Sequence, residues 1–151
     1  MGRGFEVAKG WEDKDIHIPI RKTKYSAGYD IEAAEDITIE PFKLGDAPAF
    51  IKTGLKAYME DGEYLMLANR SSNPKKKGLI MANSVGIIDK DYYGNPDNDG
   101  HLMFTYYNFK NEPVTLKKGE VVGQGIFMKY YTTDDDNAEG ERSGGFGSTN
   151  K

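Results

Sequence analysis

Short alternations of apolar and polar residues recur along most of the chain, and this is the pattern of β-strands with one buried face. Ile16, Ile18 and Ile20 alternate with other residues and predict a half-buried edge strand beside Pro19. Asp61-Gly62 separates two apolar runs and predicts a hairpin turn. The predicted strands cover residues 16–20, 36–40, 50–53, 55–59, 63–68, 79–82 and 101–109.

Two segments depart from this pattern. Residues 101–109 are apolar or aromatic on both faces, so the strand they form must lie between two layers or at a subunit interface. Ser72-Asn73-Pro74 is the helix candidate, because a capping side chain precedes a proline that fits the first helical turn. Many short strands joined by Gly, Pro, Asn and Asp turns predict an all-β sandwich or barrel-like fold.

The composition changes from Thr132 onward. The sequence there is polar and rich in glycine, and it cannot bury enough apolar surface to order itself. We therefore divide the chain into an all-β domain over residues 1–133 and a mobile C-terminal tail over residues 134–151.

Composition and charge narrow the function classes. The 151 residues suit one domain. The sequence contains no run of eighteen apolar residues, so we predict no membrane-spanning helix. The acidic N-terminus does not resemble a signal peptide, and the absence of cysteine fits a reducing compartment, so we expect a cytoplasmic protein. A net charge of −4 argues against general nucleic-acid binding. It leaves room for a small polyphosphate ligand.

The tail segment 142–149 combines groups that bind phosphate with one aromatic ring. Arg142, Ser148 and Thr149 are phosphate donors, and glycines such as Gly147 let backbone N–H groups approach an anion. Phe146 has no core to join and is suited to stacking on a base. The alternative is a disordered end without function.

The segment 83–94 places a carboxylate beside an aromatic ring in a turn bounded by glycines. Asp89 is a candidate general base for a water, or an acceptor for a sugar hydroxyl. Tyr92 is placed to pack flat on a deoxyribose and leave no space for a 2′-hydroxyl. We expect a β-hairpin here, whose backbone can hydrogen-bond a pyrimidine edge. The alternative is a turn with solvated acids.

Three shorter motifs are equivocal singly. Arg70-Ser71-Ser72 precedes the helix candidate, where either anion binding or simple capping is possible. Gln124 follows a turn. Asp30 lies at a strand start, where a carboxylate can hold hydrated Mg²⁺ through water.

The order of these motifs resembles that of the trimeric dUTPase family. The matching segments are AGYDI from Ala27, RSS from Arg70, NSVGIIDKDYYG from Asn83, GQ at 123–124 and RSGGFGST from Arg142. The resemblance implies a jelly-roll-like (β-clip) subunit, a homotrimer, and a tail that closes a neighbouring subunit's active site. The stretch 95–100 is similar to that of Gram-positive bacterial and phage variants.

The resemblance also implies an activity and roles for individual residues. It implies hydrolysis of dUTP to dUMP and pyrophosphate by Mg²⁺-assisted in-line attack of an Asp89-activated water on the α-phosphorus. Arg70 and Gln124 would support catalysis, and Asp30 would contact Mg²⁺ through water. Substrate would be bound by Ser71, Ser72, Asn83, Gly86, Ile88, Tyr92, Gln124, Arg142, Phe146, Gly147, Ser148 and Thr149. Val121 stands where the family often has an arginine.

Two alternatives remain open at this stage. A dCTP deaminase of the same fold would carry a glutamate on the strand after the third motif, and residues 101–109 contain no acid. A nucleotide-switched protein-interaction module would use the tail and the 95–100 loop as surfaces that change with ligand.

Overall fold

The computed structural model describes residues 2–146, and the chain in this range is almost entirely β-structure. The all-β prediction is therefore confirmed, as is the single short helix. The strands are β1 (Gly4–Val7), β2 (Tyr29–Glu32), β3 (Ile37–Ile39), β4 (Ala49–Lys52), β5 (Leu55–Tyr58), β6 (Glu63–Ala68), β7 (Leu79–Met81), β8 (Gly86–Asp89), β9 (Met103–Asn108), β10 (Val114–Leu116) and β11 (Val121–Lys129). The helices are α1 (Asn73–Lys77) and a 3₁₀ turn (Lys90–Tyr92).

The strands form four sheets. The largest has the order β2-β11-β6-β8, the next has the order β4-β9-β7, and β1-β5 and β3-β10 are pairs. In the largest sheet β11 is paired on both sides, whereas β8 is an edge strand whose partner is β6. The register places Gln124 of β11 opposite both Asp30 of β2 and Ala68 of β6, and it places Gly86 of β8 opposite Leu67.

The core lies between the two larger sheets. Phe104 and Tyr106 of β9 are fully buried there with Val122 and the leucines of β6. This agrees with the prediction that the strand within 101–109 lies between two layers. Gly123 permits the close approach, because a methyl group at that position would lie 2.3 Å from the ring of Phe104.

Both hairpin predictions are wrong, although both chain reversals exist. At Asp61-Gly62 the chain turns, yet β5 pairs with β1 and β6 pairs with β11 and β8. Similarly, β7 pairs with β9 while β8 pairs with β6, so the segment 83–94 connects two sheets. Local turn chemistry fixes where the chain reverses, but long-range burial decides which strand each run pairs with.

The strand predicted over 16–20 is also wrong. Ile20 makes one isolated bridge to Asp30, and Pro19 cannot donate to a ladder. The burial is the reverse of the expected alternation, because Pro19 is buried while Ile18 and Ile20 are 48% and 62% exposed. Ile18 and Ile20 therefore face outward, whereas Ile16 packs partly against the core.

The tail begins without regular structure, since residues 134–146 contain no strand or helix. None of the helices in the described range is long and apolar enough to cross a membrane.

Candidate active site

One cavity collects most of the residues that the segment 83–94 and the tail contributed as candidates. Its volume is about 260 Å³, and we call it the β8 cavity. Its walls are Leu67, Asn83, Gly86, Ile87, Ile88, Asp89, Tyr92, His101, Met103, Arg142, Gly145 and Phe146. A site for a small ligand is commonly a concavity of this kind, with apolar walls and a few polar groups.

Asp89 ends β8 and presents its carboxylate to solvent, with 51% of the side chain exposed. Arg142 of the tail donates from Nη2 to the Asp89 carboxylate over 2.5 Å and from Nε to the Asp91 carboxylate over 2.7 Å. The hydrogen bond that Arg142 donates to Asp91, aided by the charges of Asp91 and Asp89, raises the pKa of Arg142 above its ordinary value. The carboxylate is thus accessible to water and lies beside a cation that belongs to the tail.

Tyr92 is buried at the end of the 3₁₀ turn, and its ring forms one wall of the β8 cavity. Its hydroxyl donates to the backbone oxygen of His101 over 2.8 Å and accepts from Nδ2 of Asn98 over 2.8 Å. Burial raises the pKa of Tyr92, so the phenol stays protonated. Phe146 approaches the ring edge-on, with the ring centroids 6.5 Å apart.

Asn83 lies in the connection between β7 and β8. Its Oδ1 accepts a hydrogen bond from Oγ1 of Thr105 over 3.2 Å, which orients the amide. Ser84 has a positive φ of 61°, and the N–H of Val85 donates to the oxygen of Asn83 over 2.7 Å. This tight turn brings the Asn83 side chain and the β8 backbone to the same cavity.

A second group of candidates lies on the other side of β6, and we call it the Gln124 cluster: Gly28, Asp30, Asn69, Arg70 and Gln124. The side chain of Gln124 donates from Nε2 to the oxygen of Asn69 over 3.1 Å. A methyl group at position 28 would lie 2.0 Å from Oε1 of Gln124, so glycine is what leaves room for this amide. Asp30 lies opposite Gln124 in the ladder and forms an ion pair of 3.3 Å with Lys22.

A buried network of uncharged groups supports the Gln124 cluster. Oδ1 of Asn69 accepts from the N–H of Arg70, from Nδ2 of Asn73 and from the hydroxyl of Tyr106. The single hydroxyl hydrogen of Tyr106 is shared between Asn69 and the oxygen of Val122, which lies 2.6 Å from the hydroxyl, and Nδ2 of Asn73 also donates to that oxygen over 3.0 Å. Burial strongly raises the pKa of Tyr106. A fully satisfied buried network specifies one geometry, because each unmade bond is costly in a low dielectric.

The RSS motif occupies the turn between β6 and α1. Arg70 donates from Nη1 to the backbone oxygen of Val121 over 3.3 Å. Val121 is the residue that stands where the family often has an arginine. Ser71 is exposed, and the side chain of Ser72 makes no capping hydrogen bond to the helix. The capping interpretation of this serine pair therefore loses its main support.

Within residues 2–146 the chain does not unite the two groups of candidates. Asp30, Arg70, Ser71, Ser72 and Gln124 are absent from the walls of the β8 cavity. The strand β6 separates the groups, since its Leu67 lines the cavity while the next residue, Ala68, lies opposite Gln124. The described residues also contain no cluster of three acidic or histidine side chains that would hold a metal ion.

The tail covers the β8 cavity of its own chain through Arg142, Gly145 and Phe146. The predicted contributions of Gly147, Ser148 and Thr149 lie outside the described residues. The expectation that the tail closes a neighbouring subunit's site stays a prediction.

Sequence reasoning missed several residues of both groups. His101 and Met103 line the β8 cavity, and no local motif marks them. Asn69 directly precedes RSS, and this adjacency was an available signal. Asn73 and Tyr106 join the network only through the tertiary fold.

Comparison with known proteins gives one consistent family. The profile described as dUTPase matches residues 14–150. A deoxyuridine 5′-triphosphate nucleotidohydrolase from Lactococcus lactis is 54% identical over 149 residues, covering 97% of each chain. The corresponding protein from Hahella chejuensis is 34% identical over 143 residues, covering 89% of this chain and 88% of that one.

Solved structures agree with this result. The crystal structure of dUTPase from Streptococcus mutans has a TM-score of 0.77 and 45% identity, covering 87% of this chain and 98% of that chain. The dUTPase of Staphylococcus aureus phage phi11, in a mutant described with a structural Mg(II) ion, has a TM-score of 0.71 and 20% identity. That alignment covers 93% of this chain and 98% of the phage chain, and it supports the fold alone.

Proposed function

The chain belongs to the dUTPase family, and from that membership we propose that it hydrolyses dUTP to dUMP and pyrophosphate at sites shared between the subunits of a homotrimer. The predicted jelly-roll-like (β-clip) fold is confirmed by its structural neighbours. The resemblance to Gram-positive variants is likewise confirmed by the relatives from Lactococcus and Streptococcus.

The observation that carries the proposal is the β8 cavity, where one carboxylate, one buried tyrosine and one oriented amide face the same space. Asn83 and the backbone of Gly86 and Ile88 supply hydrogen-bonding groups for the edge of uracil. The Tyr92 ring packs against the sugar and excludes a 2′-hydroxyl. Phe146 of a tail stacks on the base, which is a common use of an aromatic ring beside a nucleobase.

Hydrolysis needs a water activated beside the α-phosphate. Asp89 accepts the proton of that water while the water's oxygen forms the new bond to phosphorus and the bond to the leaving pyrophosphate breaks. The exposure of the Asp89 carboxylate suits this role, since a general base must reach both solvent and substrate. When the triphosphate binds, before this step, Arg142 exchanges its carboxylate contacts for phosphate contacts.

The Gln124 cluster and the adjoining Ser71 and Ser72 are suited to binding the phosphates. Arg70, Ser71, Ser72 and Gln124 offer a guanidinium, hydroxyls and an amide, all of which donate to phosphate oxygens. The donor set also fits Mg²⁺ of the kind held mainly by a triphosphate, because Asp30 is a single carboxylate and Mg²⁺ keeps several waters. When bound, Mg²⁺ supplies stabilisation of negative charge on the phosphates. The chain's part is to hold Asp30 and Gln124 opposite each other in the ladder.

Assembly into a homotrimer is proposed because one chain separates the two halves of the site. The β8 cavity of one subunit needs a Gln124 cluster that its own chain does not bring to it. The outward-facing Ile18 and Ile20, close to Asp30, offer apolar surface for a subunit contact. Analytical ultracentrifugation tests the oligomer, and a monomeric active enzyme would contradict it.

The origin of the tail is tested by mixing two inactive chains. One carries Asp89→Asn, and the other ends at Glu141. If tails act between subunits, co-expressed mixed trimers regain activity, because the truncated chain supplies Asp89 and the mutant chain supplies a tail. Verified mixed trimers without activity would show that each tail serves its own chain. Each chain expressed alone is the control, and the truncated chain should remain folded and trimeric.

The reaction itself is tested with four nucleotides, namely dUTP, dCTP, UTP and dTTP. We expect pyrophosphate from dUTP and little from the others. Ammonia from dCTP without pyrophosphate from dUTP would instead identify a deaminase. The described strand β9 argues against that outcome, since its residues MFTYYN include no carboxylate.

A nucleotide-switched protein-interaction role is the weaker alternative. It relied partly on the 95–100 loop as a changeable surface, whereas Asn98 and Asp99 bond this loop to Tyr92 and Lys56. Partner capture with and without a non-hydrolysable dUTP analogue tests it, and equal capture removes it. A cytoplasmic location and the lack of a nucleic-acid partner stay predictions of the sequence.

A further inference from the structure

The loop 95–100 between the 3₁₀ turn and β9 is tied to the body of the domain at several points. The N–H of Asp99 donates to the oxygen of Asn95 over 2.7 Å, and Oδ1 of Asn95 accepts from the N–H of Asp97 over 2.9 Å. The Asp99 carboxylate accepts from the N–H of Lys9 and from Nζ of Lys56, over 2.9 and 2.8 Å. The loop therefore has a fixed position relative to β5.

Asn98 uses both ends of its amide within this arrangement. Its Oδ1 accepts from the N–H of Gly100 over 3.0 Å, which fixes the side chain to the loop. Its Nδ2 donates to the hydroxyl of Tyr92 over 2.8 Å, and that hydroxyl donates onward to the oxygen of His101. The amide of Asn98 is the side-chain partner that the loop offers to the Tyr92 hydroxyl.

The surroundings of Tyr92 restrict the ring further. A methyl group at Gly100 would lie 2.5 Å from the backbone oxygen of Tyr92, and one at Gly145 would lie 2.9 Å from its ring. The chain therefore approaches Tyr92 closely from the loop and from the tail. The hydroxyl end is held by directional bonds, and these decide how far the ring can withdraw from the cavity.

We propose that Asn98 is a specificity-determining positioning residue, which holds the Tyr92 ring against the sugar so that a ribonucleotide is rejected. The inference rests on the proposed function. An apolar wall alone discriminates weakly against an added hydroxyl, because a wall that can recede makes room for it. The bond from Asn98 prevents this withdrawal and gives the loop 95–100 a direct role in substrate choice.

The test measures kcat/KM for dUTP and for UTP and takes their ratio. Asn98→Asp keeps an acceptor for the N–H of Gly100 but removes the donor to Tyr92, so the single hydroxyl hydrogen of Tyr92 can serve either the new carboxylate or the oxygen of His101 and the hold from both sides is lost. We expect the dUTP-to-UTP ratio to fall about threefold to tenfold, the range that one neutral hydrogen bond corresponds to, while dUTP hydrolysis persists. Tyr92→Phe removes this bond together with the bond to the oxygen of His101, and it should lower the ratio by at least the same factor.

The double variant shows whether Asn98 acts through the hydroxyl. If it does, adding Asn98→Asp to Tyr92→Phe changes the ratio little further, because the bond is already absent. The matched control is Asp97→Asn, since Asp97 is exposed and its side chain makes no hydrogen bond within residues 2–146. This control should keep the wild-type ratio.

An unchanged ratio in Asn98→Asp with dUTP hydrolysis retained would overturn the inference, as would full additivity in the double variant. Should Asn98→Asp fail to fold, Asn98→Ala replaces it, and an unchanged ratio there overturns the inference too. A wild-type protein that releases no pyrophosphate from dUTP would sink the proposed function instead, so the two failures are distinguishable.

Discussion

The β8 cavity is closed by charged side chains at the surface, whereas the Gln124 cluster is supported by uncharged groups in the core. Asp89 and Asp91, which hold Arg142, are 51% and 59% exposed. Tyr106 and Asn73, which hold Asn69, are 0% and 1% exposed. Exposed ion pairs contribute little net stability and exchange readily for ligand contacts. A buried network keeps its geometry whether or not ligand is present.

This difference indicates a division of labour. On the proposed function, the cavity side would exchange its ion pairs for contacts with a triphosphate, and the cluster side would offer donors whose geometry is already set. Four experiments test the comparison, and they follow in order of decreasing expected effect.

The largest effect is expected from Asp89→Asn. Turnover should fall by about 10² to 10⁴, the usual contribution of a positioned general base, while a non-hydrolysable dUTP analogue still binds. Pyrophosphate release and calorimetric titration measure the two quantities. Asp91→Asn is the matched control, because Asp91 also bonds Arg142 but does not line the cavity. If both variants lose turnover equally, the cause is the loss of the ion pair with Arg142 and not the loss of a general base.

The second test separates the regions by pH. Burial, together with the charge of Lys52, lowers the pKa of His101 from 6.5 to about 4. His101 is therefore protonated at a higher pH in the unfolded chain than in the folded chain. As a result, the free energy of unfolding decreases as the pH falls from 6.5 towards 4. The loss should reach about 3 kcal/mol, as measured by urea unfolding at each pH.

Two histidine variants check the source of this pH dependence. His101→Gln can still accept from the N–H of Gly54 and should flatten the curve. His17→Gln changes the exposed histidine and should leave the curve as it is. Carboxylates whose pKa is lowered in the folded chain, such as Glu63, also stabilise it. That stabilisation is lost only below pH 4.5, the ordinary pKa of a glutamate, so it does not affect the range above. A flat wild-type curve between pH 6.5 and 4.5 would contradict the cause assigned to His101.

The third test removes one bond of the buried network. Tyr106→Phe deletes a hydroxyl that bonds Asn69 and Val122, and it should lower the free energy of unfolding by about 1 kcal/mol. KM for dUTP should rise while kcat changes less, because the variant disturbs donors and leaves Asp89 intact. Tyr107→Phe is the neighbouring control, whose hydroxyl makes only a 3.4 Å contact with Asp46. Wild-type kinetics in Tyr106→Phe would show that the buried network does not support the function of the Gln124 cluster.

The smallest effect is expected from Gly28→Ala. The added methyl group displaces the amide of Gln124 from its bond to Asn69, without a backbone conformation that alanine resists. KM should rise about twofold to fivefold, less than a full loss of one phosphate contact. Gly140→Ala, where nothing lies within 4 Å, is the control. Equal KM values in the two variants would contradict the role of Gly28.

The sequence predicted the residues of both regions better than their arrangement. Alternation placed β6 correctly over 63–68, because its two faces differ in burial along the whole strand. Partner choice escaped prediction, since β5 and β6 adjoin one turn yet bury their apolar faces in different sheets. The strand predicted over 16–20 was wrong for a related reason. Ile18 and Ile20 follow the alternation of a strand, but within the single chain both side chains lie outside the core.

The site shows the same limit. Asp89 and Tyr92 were predicted from the chemistry of their own segment, and Gln124 was assigned through the resemblance of the motif order to the dUTPase family. Neither signal carried information about Asn98 or Tyr106, which reach the site through hydrogen bonds across 6 and 37 positions of sequence.

The position of β8 at the edge of its sheet has a consequence for how such a protein can diversify. Changing β8 and the turn before it disturbs one ladder, with β6, whereas changing β11 disturbs two. If the proposed function holds, base recognition lies on an edge strand with one partner, and Gln124, a proposed phosphate contact, lies on a strand paired on both sides. A redesign that seeks a new nucleobase while keeping triphosphate chemistry should begin at residues 83–89 and leave β11 untouched.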